Sequence, residues 1–502
     1  MKEDMAVRNE KLEVGTVCRK DDGGGCRRRR RINGSRKAII LFPAVLLPLC
    51  GCSQESGSPT SLLFFVYLAV VVLIGLRCTR NVRSADDFYV AGRRAGALNV
   101  AGSLLATVLG SSAILGSVDF AYAKGWAGAW FMLCGALGLA ALFFMAKALA
   151  SSKVYNLPEL LGKFYGPHVR RVSSGVIALA WLGVIGAQLI GAGMITGTIC
   201  RIPYRSAVAL IALALAVYTA AGGQFSIIRT DLFQLAFVLT GIGGVFLTLV
   251  LKHPQLEAPP LISEKFTVSD LAVMIVAYSS TYLVGPDIYS RLFCARDLPT
   301  ARRSLLATAA VLVPVAFILA YIGVYGANFH REAGGGNVLF VIANAEFSRP
   351  MTLLLYFTIL SAIMSSADTT LFTAAGLLSQ FFVPDTANGA RSIRGTRICV
   401  VCIAGMACGI ALFSKSILDV LLFALSVYSG AFVLPTAWVL LGLPPGRIHG
   451  VCAMVVGGGL ALAGKAVGGN IGNMLVLAAF ASGLLILVAG EIKRRHAFPR
   501  GG

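Results

Sequence analysis

Apolar runs of roughly the 20 residues a helix needs to cross a bilayer recur along almost the whole chain, with only short polar stretches between them. Thirteen are read: 61–77, 97–122, 127–149, 173–198, 206–222, 231–251, 270–288, 303–327, 351–379, 397–413, 417–441, 450–466 and 472–490. Such a chain has lipid as its solvent. With no water in the bilayer core, its backbone must close hydrogen bonds inside each helix. Charged residues are only 13% of the 502, against about 25% in a soluble domain. The 56 glycines suit close helix packing. The expected fold class is therefore an all-α polytopic membrane protein with about thirteen transmembrane helices. Gly334-Gly335-Gly336 reads as a turn in one of the longer loops.

The net charge of +21 points to the membrane surface, not to nucleic acid, because the basic residues alternate by side. Arg77, Arg80, Arg83, Arg93 and Arg94 follow span one; Lys147, Lys153, Lys163, Arg170 and Arg171 follow span three. Arg229 precedes span six, and Arg291, Arg296, Arg302 and Arg303 are read into the loop after span seven. Arg391, Arg394 and Arg397 follow span nine, Arg447 follows span eleven, and Lys493, Arg494 and Arg495 follow span thirteen. Loops after even spans are poorer in Lys and Arg. Positive loops stay in the cytoplasm, so the C-terminus is expected inside and the start of span one outside. The expected location is a cell inner membrane or plasma membrane, crossed many times.

That orientation requires residues 1–60 to deliver span one from outside, although Arg27 to Arg31 should stay inside. The fourteen residues Ala38 to Gly51 are apolar and follow that basic run. They are short for a span and right for a signal-peptide core. They end at Leu49-Cys50-Gly51-Cys52, which resembles a bacterial lipoprotein processing site with a lipid on the cysteine. A retained short anchor or an over-extended start are the alternatives.

The reactive constellations of enzymes are missing. No HExxH, Walker loop or nucleophile elbow occurs, and the five His are scattered at loops and ends. Among the twelve Cys, only Cys399 and Cys402 have CxxC spacing, on a membrane helix with Val400 and Val401 between them. They read as small packing residues, not as a redox or metal pair. The polar residues inside the membrane carry the functional information instead. Ser361 to Thr370 puts the hydroxyls Ser365 and Ser366 and the carboxylate Asp368 into span nine. Polar groups at that depth are costly and mark ion or substrate paths. Adjacent hydroxyls also suit a small hard cation. The alternative is that both serines bond back to their own helix.

A series of motifs resembles the sodium:solute symporter family. Ala85-Asp86-Asp87-Phe88-Tyr89-Val90-Ala91-Gly92-Arg93 leads into span two like the entry to that family's first core helix. Leu157-Pro158-Glu159 and Tyr165-Gly166 match its loop after span three. Tyr218-Thr219, Gly222-Gly223, Thr230-Asp231 and Gln234 match its loop between spans five and six. Pro286, Arg291, Ala295 and Asp297 match the loop after span seven, and Ala362 to Ser366 matches its sodium-binding helix. Order and spacing hold over about 61–441, read as the symporter core, with 442–502 holding the last two spans and a basic tail.

The resemblance implies the leucine-transporter type of fold, two inverted five-helix repeats, here spans two to six and seven to eleven. Five is odd, so the repeats begin on opposite faces, and the first helix of each should be interrupted. Span two carries Thr107, Gly110, Ser111 and Ser112; span seven carries Tyr278, Ser279, Ser280 and Thr281. The implied sodium ligands are the backbone of Ala106, Leu109 and Ala362 with the hydroxyls of Ser365 and Ser366. Asp231 falls where the family has an acidic group near the sodium exit path; a helix cap or a pair with Arg229 is the alternative. Asp368 is read as assisting a second ion or as a counter-charge.

The acidic position in the unwound part of span two of the proline members falls on Val108 here, which weakens a proline reading; Asp119 is a possible substitute. Substrate candidates are Ser103, Thr107, Ser111, Tyr122, Trp130, Gln188, Tyr278 and Tyr282. Hydroxyls and aromatics of this kind leave sugars, amino acids and small carboxylates open. The expected activity is sodium-coupled import of a small organic solute by alternating access. The alternative is a transporter-like sensor acting through a separate signalling partner. About a dozen residues follow the last span, too few for a fused kinase domain.

Overall fold

The computed structural model describes residues 59–152, 154–331, 338–382, 389–413, 417–443, 446–467 and 469–497. The basic segment, the Cys52 processing motif and the triple glycine at 334–336 lie outside the described residues. Each of the thirteen predicted spans has a helical counterpart. Span one is α1 (Pro59–Cys78), and a short helix, α2 (Ala85–Val90), precedes span two. Span two is α3 (Ala97–Val108) and α4 (Ser111–Lys124), span three is α5 (Trp130–Ser151), and α6 (Leu157–Tyr165) leads to span four, α7 (Pro167–Cys200). Spans five and six together are α8 (Tyr204–Lys252), two helical arms that meet at Gly223.

Span seven is α9 (Val268–Met274), a π-helical turn (Ile275–Ser279) and α10 (Ser280–Val284), followed by α11 (Pro286–Leu292). Span eight is α12 (Leu298–Phe329), and α13 (Val338–Glu346) precedes span nine, α14 (Arg349–Phe382). Spans ten to thirteen are α15 (Gly389–Phe413), α16 (Ile417–Leu440), α17 (Arg447–Val467) and α18 (Gly469–Ala497).

Helix starts are set by local chemistry. Ser84 and Asp87 form a capping box on α2, and Thr267 and Asp270 form one on α9. Asn156 caps α6 and Asp297 caps α12, each with a proline in the first turn, where its missing N–H costs nothing. Burial works against the Asp87 charge. The Ser84 hydroxyl, the Arg83 and Ser84 amides and Arg94 outweigh it and hold the carboxyl below its ordinary value.

Two findings concern where helices end. The loop read between spans five and six is reduced to a sharp turn at Gly223 (φ 56°, ψ −145°), which folds the chain back so that Tyr218 and Thr230 reach the same Asp368 carboxylate. A Cβ there would meet the Phe88 carbonyl oxygen at 2.6 Å, and the positive φ itself favours glycine. The interruption of span seven has two parts: the π-helical turn at Ile275–Ser279 takes in Tyr278 and Ser279, and the chain leaves the helical region farther on, at Gly285 (φ −58°, ψ 123°) before Pro286. Pro286 therefore starts a helix inside the bundle and does not sit in a loop.

The helices pack as two groups. In one, α12 lies along α3, α4 and α5, with α10 against α5. In the other, α14 lies along α7 and α8, and α15 against all three. Contacts of α3 with α8 and α14 join the groups, and the polar residues gather along that seam.

Candidate functional site

The break in span two follows from Leu109 (φ −80°, ψ 42°) and Gly110 (φ −63°, ψ 164°), which leave the helical region. The last carbonyls of a helix lack intrahelical partners, and those at the end of α3 include Ala106. The Ala113 amide turns to the Gly110 carbonyl at 3.0 Å, not to Leu109 four residues back, which releases a further acceptor. Ser366 on α14 reaches this break, donating to the Thr107 carbonyl at 3.3 Å. Gly110 allows that approach, since a Cβ would stand 2.5 Å from the Ser366 Oγ. Ala106, Leu109 and Ala362 are fully buried, and Ser365 is buried beside them.

Asp231 is where the structure departs most from expectation. It neither caps a helix nor pairs with Arg229, which is exposed. It lies within α8, fully buried, and pairs with an equally buried Arg291 at 3.0 Å. Ser103 donates to the same carboxylate, and Ser365 donates to its other oxygen at 2.5 Å. Arg291, read from the sequence as one of the basic loop residues, sits inside because the Gly285 break brings α11 into the bundle. Its Nε donates to Ser103 at 3.2 Å, its Nη1 to Ser290 at 3.0 Å and its Nη2 to Thr369. The guanidinium is thus satisfied on every nitrogen, as a buried charge requires.

Asp368 closes the cluster. Tyr218 donates to it at 2.9 Å, Thr230 at 3.3 Å and Thr369 at 3.2 Å. Thr369 also bonds back to the Ser365 carbonyl at 2.8 Å, so the two carboxylates are joined through one hydroxyl and one guanidinium. If both carboxylates are ionised, two negative charges face one positive charge in this buried group. Arg291, Tyr218, Thr230 and Thr369 were not singled out in the sequence reading as members of the site. The signal that could have found Arg291 is Gly285-Pro286, a breaker pair ending five residues before it.

The substrate candidates divide. Ser111 donates to Gln188 at 3.0 Å, linking the break in span two to α7. Tyr278 packs against Phe131 at a tilt and edge-on against Tyr282, with centroids 4.5 and 5.6 Å apart. Ser103 belongs to the Asp231 cluster, and Thr107 bonds back to the Ser103 carbonyl at 2.9 Å. Tyr122 and Trp130 are turned to connecting segments: Tyr122 donates to the Arg331 carbonyl at 2.7 Å and Trp130 to the Leu261 carbonyl at 3.1 Å. Asp119 accepts from the Val338 amide at 3.2 Å at the foot of α13, and Val108 is buried at the end of α3. Cys399 and Cys402 are both free thiols.

Residues 88–257 match the family model of the sodium:solute symporter family. A sodium/glucose cotransporter of Vibrio parahaemolyticus is 23% identical over 190 residues, 36% of this chain and 34% of that protein. The match thus spans about a third of that relative's length. The fold is similar over most of the described chain to a Na+-coupled sialic acid symporter solved substrate-bound and outward-open. The TM-score is 0.72 at 17% identity, covering 86% of this chain and 98% of that one. It is similar also to a nucleobase-cation-symport-1 family transporter solved closed with bromovinylhydantoin, with a TM-score of 0.55 at 14% identity, covering 83% and 96%. These relatives are transporters, not enzymes. The resemblance read from the motifs is borne out: the chain carries the sodium:solute symporter family pattern over residues 88–257, on a leucine-transporter-type fold of two inverted five-helix repeats.

Proposed function

We propose that the protein is a secondary active symporter that couples inward sodium movement to import of a small organic solute by alternating access. The observation that carries this reading is the meeting of the Leu109–Gly110 break with Ser366 of α14. An interrupted helix facing hydroxyls on a neighbouring span supplies the oxygens that replace a cation's water shell. The carbonyls of Ala106, Leu109 and Ala362 and the hydroxyls of Ser365 and Ser366 are the proposed ligands. Asp231 on α8 and Asp368, farther along α14 itself, contribute negative potential along the ion's path. Ser365 donates to Asp231, so the proposed ion site and the carboxylate cluster share a residue.

Sodium held between α3 and α14 ties the two packing groups together and fixes the first half of span two for solute binding. Solute then permits the groups to rock, and sodium leaves past Asp231 toward the face with the basic loops. One charge moving through 100 mV yields about 2.3 kcal/mol. We place that basic face and the C-terminus in the cytoplasm, residues 1–60 ahead of the 61–441 core, and 442–502 as two accessory spans with a basic tail. The solute is expected to contact Ser111, Gln188, Tyr278 and Tyr282, which remain near the two interruptions; Ser103 and Thr107 support that wall, and Tyr122 and Trp130 hold its outer rim.

The experiment is uptake into proteoliposomes of a metabolite panel of sugars, amino acids and small carboxylates, with an inward sodium gradient, an equal potassium gradient, or none. At least one solute is expected to accumulate only with sodium. Accumulation that is the same in all three conditions overturns sodium coupling.

A further inference from the structure

The segment before span two is built as a clasp. Helix α2 is continuous with the α3 group, yet its side chains engage the other group. The Tyr89 hydroxyl is 2.8 Å from Ser392 Oγ and 2.7 Å from Thr396 Oγ1, both on α15. Phe88 is fully buried with Ile227 of α8 and Phe372 of α14. It lies against the Gly223 kink, and the Arg397 guanidinium stands 5.6 Å from its ring centroid. Arg397 in turn donates to the carbonyls of Ala220 and Ala221 at 2.9 and 3.2 Å, next to that kink.

On its own side, α2 is held firmly. Asp86 accepts from Tyr155, after α5, at 2.5 Å. Arg94 pairs with Asp87 at 2.6 Å. The turn into α3 is strained: Ala91, Gly92 and Arg93 all have positive φ, 48°, 63° and 51°. Non-glycine residues adopt that region only at a cost and persist there only where the surroundings over-determine them. Here the turn folds α2 back across the seam between the two groups. The Ala95 amide and carbonyl are also bridged to Cys294 and Arg296 at 3.0 and 3.2 Å, so the turn is anchored to the end of span seven.

We propose that α2 is a latch: Tyr89 and Phe88 hold the α3 group closed against α8, α14 and α15 on the face bearing the basic loops, and their release opens the path there. This rests on the alternating-access reading above. It assigns to the latch the buried Phe88 ring and the two hydroxyl contacts of Tyr89. Two hydroxyl contacts and one buried ring bias the closed state without locking it.

The test uses the full chain purified in detergent, so it depends neither on sodium coupling nor on which face is cytoplasmic. Ile227→Cys puts a thiol beneath Phe88, and its rate of maleimide labelling reports opening. Adding Tyr89→Phe, which removes only the hydroxyl, is expected to speed that labelling about tenfold, the size of one or two net hydrogen bonds. Ser392→Ala with Thr396→Ala removes the partners from the other side and is expected to do the same. The native Cys200, buried at the far end of α7, is expected to keep its slow rate, which separates local opening from general loosening. An unchanged rate at position 227 in both variants overturns the latch, as does equal acceleration of Cys200.

Discussion

Asp231→Asn is expected to cost about 3–5 kcal/mol of stability, the usual penalty for stripping one partner from a buried ion pair. Asn keeps the shape but turns one acceptor into a donor, facing the donors of Ser103, Ser365 and Arg291. The Arg291 charge then stays buried without its partner. Arg291→Met should cost a comparable amount, because it leaves Asp231 and Asp368 without a cation. The double change should recover part of either loss, as pairs removed together often do. In transport, Asp231→Asn should lower the maximal uptake rate more than solute binding at saturating sodium, and Asp231→Glu should keep part of the rate. Arg229→Ala should be near neutral, since Arg229 is exposed. Denaturation and uptake kinetics on these variants check the set. A stable Asp231→Asn protein with normal turnover would remove the pair from both structure and mechanism.

Ser365→Ala together with Ser366→Ala is expected to raise the sodium concentration for half-maximal uptake at least about tenfold, or about 1.4 kcal/mol. The protein should still reach the membrane. Both hydroxyls point at acceptors on neighbouring helices: Ser366 at the Thr107 carbonyl of α3 and Ser365 at Asp231 of α8. Removing them takes away two ligands that water cannot easily replace at that depth. Ser365→Ala alone also strips a donor from Asp231, so it should reduce stability more than Ser366→Ala alone. Sodium titrations of uptake in the three variants decide this. A double variant with wild-type sodium dependence would move the ion elsewhere.

The helical parts of this account are legible in the sequence because membrane helices are specified locally. Each needs its own apolar run, and the polar cluster at Thr107, Gly110 and Ser111 marks the break in span two for the same reason. The pair Ser365-Ser366 is equally visible, as hydroxyls where hydrocarbon is expected. The charge cluster is less legible because it is assembled from afar. Asp231 meets Arg291 across 60 positions, and Tyr218 meets Asp368 across 150.

Arg291 also follows a rule that misleads here. Basic residues after an apolar run belong to loops, unless a break turns the chain back inside. Gly285-Pro286 provides that break beyond the predicted cluster at Tyr278 to Thr281. Gly222-Gly223 misleads in the opposite sense. It reads as a longer loop, yet Gly223 makes the whole turn in one residue, so Asp231 lies well inside the helix that follows.

The most direct test of a sodium ion between α3 and α14 is the thermal unfolding midpoint of the purified protein as sodium is titrated at constant ionic strength against potassium. A ligand that binds the native state alone stabilises it by RT ln(1 + [L]/Kd). The account predicts a midpoint that climbs with sodium in the wild type, stays flat with potassium, and loses its sodium response in the Ser365→Ala/Ser366→Ala protein. The same climb in both proteins, or an equal climb with potassium, would contradict it.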